Sequence, residues 1–206
     1  MRAGEPFFNL YTHDLVRAAV AVPELRVADP EFNAARTIEM MERAAAERAV
    51  VVLFPELGIS AYSCDDLFHQ RALLDACQEG LARVVAASKD LQLVAAVGLP
   101  LQVDNLLYNC AVLVARGQIL GVVPKTYLPN YREFYEARQF NPASSAVSDR
   151  IDLLGQAGVP FGNDLLFRLD EQPLLTLHAE VCEDLWVPIP PSSRAALAGA
   201  TVLLNL

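Results

Sequence analysis

The sequence predicts a layered α/β domain in which helices cover a mixed β-sheet. Two observations predict this fold class: apolar segments typical of buried strands alternate with amphipathic helical segments, and one hairpin interrupts the alternation. The 206 residues are 53% hydrophobic and 20% charged, which is typical of one globular domain with a sizeable core. No internal repeat or linker divides the chain.

The first half of the chain contains three predicted strands and two predicted helices. Asp29 can cap the first helix, and Pro30 suits its first turn, where a backbone N–H is not needed. The strand at 49–56 is a continuous apolar run, as expected for a strand buried on both faces. The predicted segments are strands at 15–22, 49–56 and 91–98 and helices at 28–49 and 73–90.

The second half begins with a predicted hairpin at 107–125, because Arg116 and Gly117 form a turn signal between two apolar runs. Residues 128–173 have an irregular, loop-rich pattern. A strand at 174–181, a short helix opened by Ser192 or Ser193 and a final strand at 201–206 complete the prediction. Since a central strand needs a following helix to cover it, we expect the chain to be cut within its domain.

The composition excludes several classes of function. A net charge of -9 argues against nucleic acid or an anionic membrane as the main partner. No apolar run is long enough to span a membrane, and the N-terminus lacks the pattern of a signal peptide. The four cysteines form no CxxC pair and the three histidines no H-x-x-x-H pattern. We therefore expect a cytoplasmic protein without a metal site.

Three predicted strands end on a reactive side chain, namely Glu56, Lys125 and Cys182. Ligands of layered α/β folds gather beyond the carboxyl ends of the strands. Pro55 and Pro124 directly precede the first two groups and stiffen the exit from each strand. If these strands are parallel neighbours, all three groups meet at one site.

The surroundings of Cys182 leave two routes to a reactive sulfur. Glu183 and Asp184 follow it directly, and neighbouring carboxylates make a thiolate harder to form. An ammonium about 4 Å away favours the thiolate by roughly 4 kcal/mol at an effective dielectric of about 20, so Lys125 could outweigh the acids. Alternatively, Glu56 could remove the thiol proton as attack occurs, acting as a general base.

Three blocks of sequence resemble a known family. FPELGISAYS around Glu56, VVPKTYLPNYREFYE around Lys125 and AEVCEDLW around Cys182 resemble the Glu-Lys-Cys triad of the nitrilase, or carbon–nitrogen hydrolase, superfamily. Within it they are most similar to the glutaminase domains of glutamine-dependent NAD⁺ synthetases, over about residues 9–206. The resemblance implies a nitrilase-like α-β-β-α sandwich at 1–206, truncated at its C-terminus, with the remainder of the domain and the ATP-dependent synthetase domain absent.

The resemblance also implies a reaction. Cys182 would attack the side-chain amide of glutamine and form a thioester, while Lys125 and the backbone N–H after the cysteine would stabilise the oxyanion. Glu56 would take the thiol proton, pass it to departing ammonia and then activate water. This step would need no cofactor. ATP and Mg²⁺ would serve only the synthetase domain, which would use the ammonia to amidate nicotinic acid adenine dinucleotide.

Four further residues match positions of the family with supporting roles. Tyr62 and Tyr131 match aromatic residues near the glutamine pocket, although aromatic loop residues often simply pack. Glu183 matches the acid beside the nucleophile and suits the α-ammonium of an amino acid, although it could also be a solvated turn acid. Glu133 matches a second glutamate that is hydrogen-bonded near the lysine and supports its position.

Two other functions stay open. The chain could be a free-standing nitrilase-family amidase acting on another small amide, or a non-catalytic fragment whose exposed apolar sheet mediates assembly. Domains of this superfamily commonly pair through their helices, so the resemblance implies a homo-oligomer. The expected partners are glutamine and the synthetase domain that receives ammonia.

Overall fold

The computed structural model describes residues 9–170 and 172–206, which form four layers. A five-stranded sheet and a three-stranded sheet pack face to face through an apolar core. Two long helices cover the outer face of the larger sheet, and a short helix contacts the smaller one. This is the α-β-β-α sandwich that the family resemblance implied.

The larger sheet places the ends of two distant strands at the same edge. The first three strands run parallel to one another. The fourth runs antiparallel to the third and the fifth antiparallel to the fourth, so the second and the fifth strand run in the same direction. The spatial order follows the chain: β1 (Ala18–Val20), β2 (Val51–Leu53), β3 (Val94–Val103), β4 (Leu106–Ala115) and β5 (Gln118–Pro124).

The smaller sheet contains β8 (Phe167–Leu169), β9 (Gln172–Glu180) and β10 (Val202–Asn205), in the order β10-β9-β8. The strands β9 and β10 are parallel, and β8 is antiparallel to β9. A separate hairpin of β6 (Arg150–Leu153) and β7 (Gln156–Pro160) contacts β5. Residues 128–173, predicted to be loop-rich and irregular, thus contain three short strands that were not predicted. Strands of three to five residues are too short to show a clear hydrophobic period.

The two long helices begin and pack as their sequences predict. They are α1 (Pro30–Ala46) and α2 (Arg71–Ala87), and they pack against each other above the larger sheet. At the start of α1 the Asp29 carboxylate accepts a hydrogen bond from the Phe32 amide at 3.1 Å. This is the predicted cap, because the first amides of a helix have no partner within the helix. In the described residues, no helix is long and apolar enough to cross a membrane.

The short helix α3 (Pro191–Leu197) starts before the predicted serine caps. Proline suits its first position, because no amide is needed there. The next amide, that of Ser192, donates to the buried Glu180 carboxylate at 2.9 Å. A side chain from β9 thus satisfies the helix start, and neither Ser192 nor Ser193 is the cap.

Alternation along β9 determines which residues form the core between the sheets. Leu175, Leu177 and Ala179 point toward the larger sheet, whereas His178 and Glu180 belong to the opposite face. The larger sheet contributes small and branched apolar side chains to the same layer. These are Val51, Val94, Ala96, Ala111, Leu113 and Val123. The core between the sheets therefore ends where β9 delivers Cys182.

Candidate active site

The structure brings Glu56, Lys125 and Cys182 together at the edge where β2, β5 and β9 end. The three groups meet although their strands are not neighbours, so the condition of parallel neighbouring strands is not needed. Two strands lie between β2 and β5, and β9 belongs to the other sheet. Packing of one sheet on the other, rather than strand adjacency, thus forms the cluster.

Glu56 lies on a turn that approaches β3 unusually closely. A Cβ atom at Gly98 would lie 2.4 Å from the Leu57 nitrogen and 2.6 Å from the Pro55 oxygen. The Ile59 amide also donates to the Gly98 carbonyl at 3.0 Å. Only glycine leaves room for this approach, so Gly98 determines where the Glu56 carboxylate is placed.

Lys125 is a buried ammonium held by two carboxylates. Its side chain is 0% exposed, and Nζ lies 2.7 Å from Glu56 Oε1 and 2.9 Å from both oxygens of Glu136. Burial opposes the charge, but the two carboxylates outweigh it, and the pKa of Lys125 is raised. Lys125 therefore stays protonated and can donate to a developing negative charge.

Glu136, not Glu133, is the second glutamate at the lysine. Its carboxylate is buried and also accepts a hydrogen bond from the Tyr62 hydroxyl at 2.7 Å. Glu133 is exposed and lines a cavity of about 170 Å³ with Tyr62 and Glu136. Both glutamates lie in the same sequence block. The sequence signal that favours Glu136 over Glu133 was the apolar Phe140, which lies on the buried side of this turn. The Phe140 amide donates to the Glu136 carbonyl.

Cys182 adopts a left-handed backbone conformation, with φ of 47°. This region is uncommon outside glycine, and such outliers cluster at functional sites. The Cys182 amide donates to the Leu206 carbonyl at 2.9 Å, which ties the turn to the segment after β10. The thiol is half-buried and close enough to Glu56 and Lys125 for their charges to affect its pKa.

The charges around Cys182 bear on the two routes to a reactive sulfur. Burial and the negative charge of Glu56 raise this pKa to about 11, and Lys125 lowers it less. The thiol is therefore protonated at neutral pH. This geometry favours proton transfer to Glu56 during attack over a thiolate preformed by Lys125.

Asp184 joins the lysine segment to the cysteine turn, a role that the sequence analysis missed. Its carboxylate accepts amide hydrogen bonds from Thr126 at 3.0 Å, Tyr127 at 2.7 Å and Val181 at 3.1 Å. Burial raises its pKa to about 6, although these amides oppose the shift. In the sequence Asp184 stands out only as an acid near the thiol, because its partners lie in a segment more than 50 residues away.

Asn109 is a second residue that the sequence analysis missed. It lies on β4, is fully buried and donates from Nδ2 to Glu56 Oε1 at 2.6 Å. The available signal was an amide side chain within the otherwise apolar segment LLYNCAVLVA. Buried polar groups need a partner, so such a residue indicates a specific contact.

The three predicted substrate-binding residues occupy two places. The Tyr131 hydroxyl donates to both oxygens of Glu183, at 3.1 and 3.0 Å, on the exposed rim of the site. Tyr62 lies instead against Glu136 beside Lys125. Across residues 9–170 and 172–206, no three His, Cys, Asp or Glu side chains are arranged to hold a metal ion.

Known proteins are similar to this chain in both sequence and fold. The glutamine-dependent NAD(+) synthetase of Mycobacterium tuberculosis is 46% identical over 201 residues, which cover 97% of this chain and 29% of that protein. The rat protein of the same name is 31% identical over 86% of this chain and 25% of its own length. The chain thus spans less than a third of these relatives.

Solved structures agree with this fold. The structure of a glutamine-dependent NAD(+) synthetase from Cytophaga hutchinsonii superposes with a TM-score of 0.79 at 26% identity, covering 92% of this chain and 30% of that one. An amidase from Nesterenkonia sp. shares the fold with a TM-score of 0.66 at 20% identity, covering 90% of this chain and 63% of that one. The family model described as carbon-nitrogen hydrolase matches residues 17–206, and the chain therefore belongs to the carbon–nitrogen hydrolase family.

Proposed function

We propose that this chain is the glutaminase part of a glutamine-dependent NAD⁺ synthetase. It would hydrolyse the side-chain amide of glutamine and release ammonia. The observation that carries the proposal is the Glu56–Lys125 ion pair beside the Cys182 turn, which the hydrogen bonds of Asp184 join to the lysine segment. The names of the relatives that match nearly the whole chain support the choice of glutamine as substrate.

In the first step Cys182 Sγ attacks the amide carbon while Glu56 accepts the thiol proton. The negative charge moves to the amide oxygen, where the Lys125 ammonium stabilises it. The Cys182 amide is already bonded to the Leu206 carbonyl, so the following amide, that of Glu183, is the candidate second donor. Glu136 keeps Lys125 in place and charged through this step.

The intermediate then collapses, and the proton held by Glu56 passes to the leaving nitrogen. Ammonia departs and a thioester remains on Cys182. Glu56, again ionised, takes a proton from water as the water oxygen attacks the thioester carbon. Return of that proton to sulfur releases glutamate and restores the thiol.

The exposed rim would bind the amino acid end of the substrate. The Glu183 carboxylate suits the α-ammonium of glutamine, and the Tyr131 hydroxyl fixes that carboxylate. Tyr62 would line the site beside Lys125. Glu133 would only line the neighbouring cavity.

The remaining proposals concern the whole protein. Ammonia would pass to a synthetase domain that uses ATP and Mg²⁺ to amidate nicotinic acid adenine dinucleotide, whereas the glutaminase step uses no cofactor. We further propose a cytoplasmic homo-oligomer. The names of the relatives support the synthetase partner.

Ammonia release from L-glutamine, acetamide and propionamide tests the proposed function. The assay is run on this 206-residue chain and on the full-length protein that its gene encodes. We expect glutamine to be preferred and Cys182→Ala to lower turnover at least about 1,000-fold, because no other group can form the thioester. Cys77→Ala, at a buried cysteine of α2, is the control.

Two results contradict the proposal in different ways. Preference for the simple amides would favour a free-standing amidase, in line with the shared fold of the Nesterenkonia protein. Wild-type turnover in Cys182→Ala would remove both hydrolase functions, and an inactive oligomer would then favour the assembly function.

A further inference from the structure

The Asn109 side chain contacts one oxygen of the proposed base. Glu56 Oε1 accepts two hydrogen bonds, from Asn109 Nδ2 at 2.6 Å and from Lys125 Nζ at 2.7 Å. A carboxylate oxygen offers about two lone-pair directions, so these donors saturate Oε1. Glu56 Oε2 is the oxygen left for the Cys182 thiol, the leaving ammonia and the attacking water.

The Asn109 amide is poorly suited to stabilise the fold by itself. Asn109 is 0% exposed, and its Oδ1 has no hydrogen-bond partner among the described residues. A buried carbonyl oxygen without a donor destabilises a folded protein. Leucine has nearly the same shape and would bury no polar atom. The amide is therefore explained by its contact with Glu56 rather than by packing.

Asn109 also sets the position of Lys125, but through its backbone. Its carbonyl accepts the Lys125 amide at 2.8 Å, directly beyond the last pair of the β4–β5 ladder. A side-chain substitution leaves this bond in place. The contact with Glu56 can therefore be removed without moving the lysine backbone.

We infer that Asn109 is a positioning residue that holds Glu56 Oε1 against Lys125 and so presents Oε2 as the proton-accepting oxygen. The inference deepens the proposed function and rests on the role of Glu56 as the base. Without the amide, the Glu56 carboxyl can rotate about its last bond and exchange its two oxygens. In this role Asn109 acts through Glu56 and not by direct contact with the reacting atoms.

Asn109→Leu tests the inference in the glutamine assay. We expect kcat to fall about 10- to 100-fold, part of the 10²- to 10⁴-fold that a general base contributes, with KM changed less than about twofold. The thermal midpoint should stay equal or rise, because an unpaired buried oxygen is removed. Cys110→Ala, at the next, equally buried residue of β4, controls for disturbance of the strand.

A double-mutant cycle with Glu56→Gln separates positioning from a general structural role. If Asn109 acts only through Glu56, Asn109→Leu changes kcat less than about twofold in the Glu56→Gln background. Losses that multiply across the two substitutions overturn the inference. Asn109→Ser, which is too short to reach Glu56, repeats the cycle if the leucine variant does not fold.

The cycle also distinguishes failure of the inference from failure of the proposed function. A large loss in Glu56→Gln with wild-type turnover in Asn109→Leu overturns only the positioning role. Wild-type turnover in Glu56→Gln overturns Glu56 as the base and this inference with it. A raised KM with an unchanged kcat in Asn109→Leu would also overturn the positioning role, because it would place the amide in substrate binding.

Discussion

At the scale of single residues, the charge on Glu56 has opposite effects on two reactions of Cys182. Burial and the Glu56 carboxylate raise the pKa of the thiol to about 11. Removing that charge lowers the pKa and increases the thiolate fraction. In the proposed mechanism of amide hydrolysis, however, Glu56 carries protons in both half-reactions.

We therefore predict that Glu56→Gln accelerates alkylation of Cys182 by iodoacetamide at pH 7.5 while glutamine hydrolysis falls at least about 100-fold. Each unit of lowered pKa raises the thiolate fraction about tenfold and lowers its nucleophilicity, for a net gain of roughly threefold. Mass spectrometry of the labelled peptide measures the rate. The buried Cys64, Cys77 and Cys110 are internal references. Slower labelling in the variant would contradict the assigned charge effect.

Asp184 gives the unfolding free energy a specific pH dependence. Its pKa is raised from 3.8 to about 6, mainly by burial, so the folded state binds this proton more tightly than the unfolded state. The stabilising contribution is complete below pH 3.8 and is lost as the pH rises through about 6.

We predict that wild type gains about 2 kcal/mol of unfolding free energy relative to Asp184→Asn when the pH falls from 7 to 4. Urea unfolding of both proteins at each pH measures this difference. Asp90→Asn, at an exposed aspartate, is the control, and its difference in unfolding free energy from wild type should change little between the two pH values. A gap between wild type and Asp184→Asn that stays constant with pH would show that Asp184 does not titrate in this range.

The proximity of Glu56, Lys125 and Cys182 could be predicted from sequence, but several of their partners could not. Glu56, Lys125 and Cys182 each end an apolar run, which is a local signal. The contacts of Asn109 and Asp184 join segments far apart in the chain and depend on how the sheets pack. The local pattern marks Asn109 as a polar residue in an apolar strand, but it does not identify the partner of either side chain.

At the scale of elements, the approach of the β2 turn to β3 depends on Gly98. We predict that Gly98→Ala costs about 1 to 3 kcal/mol of unfolding free energy, because the new methyl group overlaps the backbone of residues 55–57. It should also lower glutamine turnover, since Glu56 moves with that backbone. Urea unfolding and the ammonia assay measure the two effects.

Gly162→Ala is the matched control for this prediction. A Cβ at Gly162 would meet only a side-chain oxygen of Asp164, at 3.1 Å, and that side chain can move. We expect its stability and turnover to stay close to wild type. Equal effects of the two substitutions would show that the close approach at Gly98 does not position the turn.

Elements with strong local signals were predicted well, and weakly patterned ones were not. The start of α1 at Asp29 and Pro30 and the hairpin turn at Arg116 and Gly117 were predicted and are confirmed. The strands at 15–22 and 49–56 were drawn too long, since each forms only three residues of ladder. The apolar run around β2 continues past the paired residues because Ala49 and Phe54 are also buried, whereas Leu15 and Val22 beside β1 are exposed.

At the scale of the whole molecule, the core between the two sheets holds the site together. Leu177 is fully buried in this core, whereas Leu174 on the same strand is 67% exposed. We predict that Leu177→Ala costs about 2 to 5 kcal/mol of unfolding free energy and Leu174→Ala no more than about 0.5 kcal/mol. Denaturant unfolding tests this difference. Similar costs would contradict the assigned facing of β9.

Cys182 follows a strand of the smaller sheet, while Glu56 and Lys125 follow strands of the larger one. The distance from the sulfur to the carboxylate and the ammonium therefore depends on the thickness of the apolar layer between the sheets, together with the Asp184 hydrogen bonds that join the two turns. Such layers are packed as densely as organic crystals and compress little. Side chains of this apolar layer, remote from the proposed reaction, therefore determine how closely the sulfur, the carboxylate and the ammonium can approach one another.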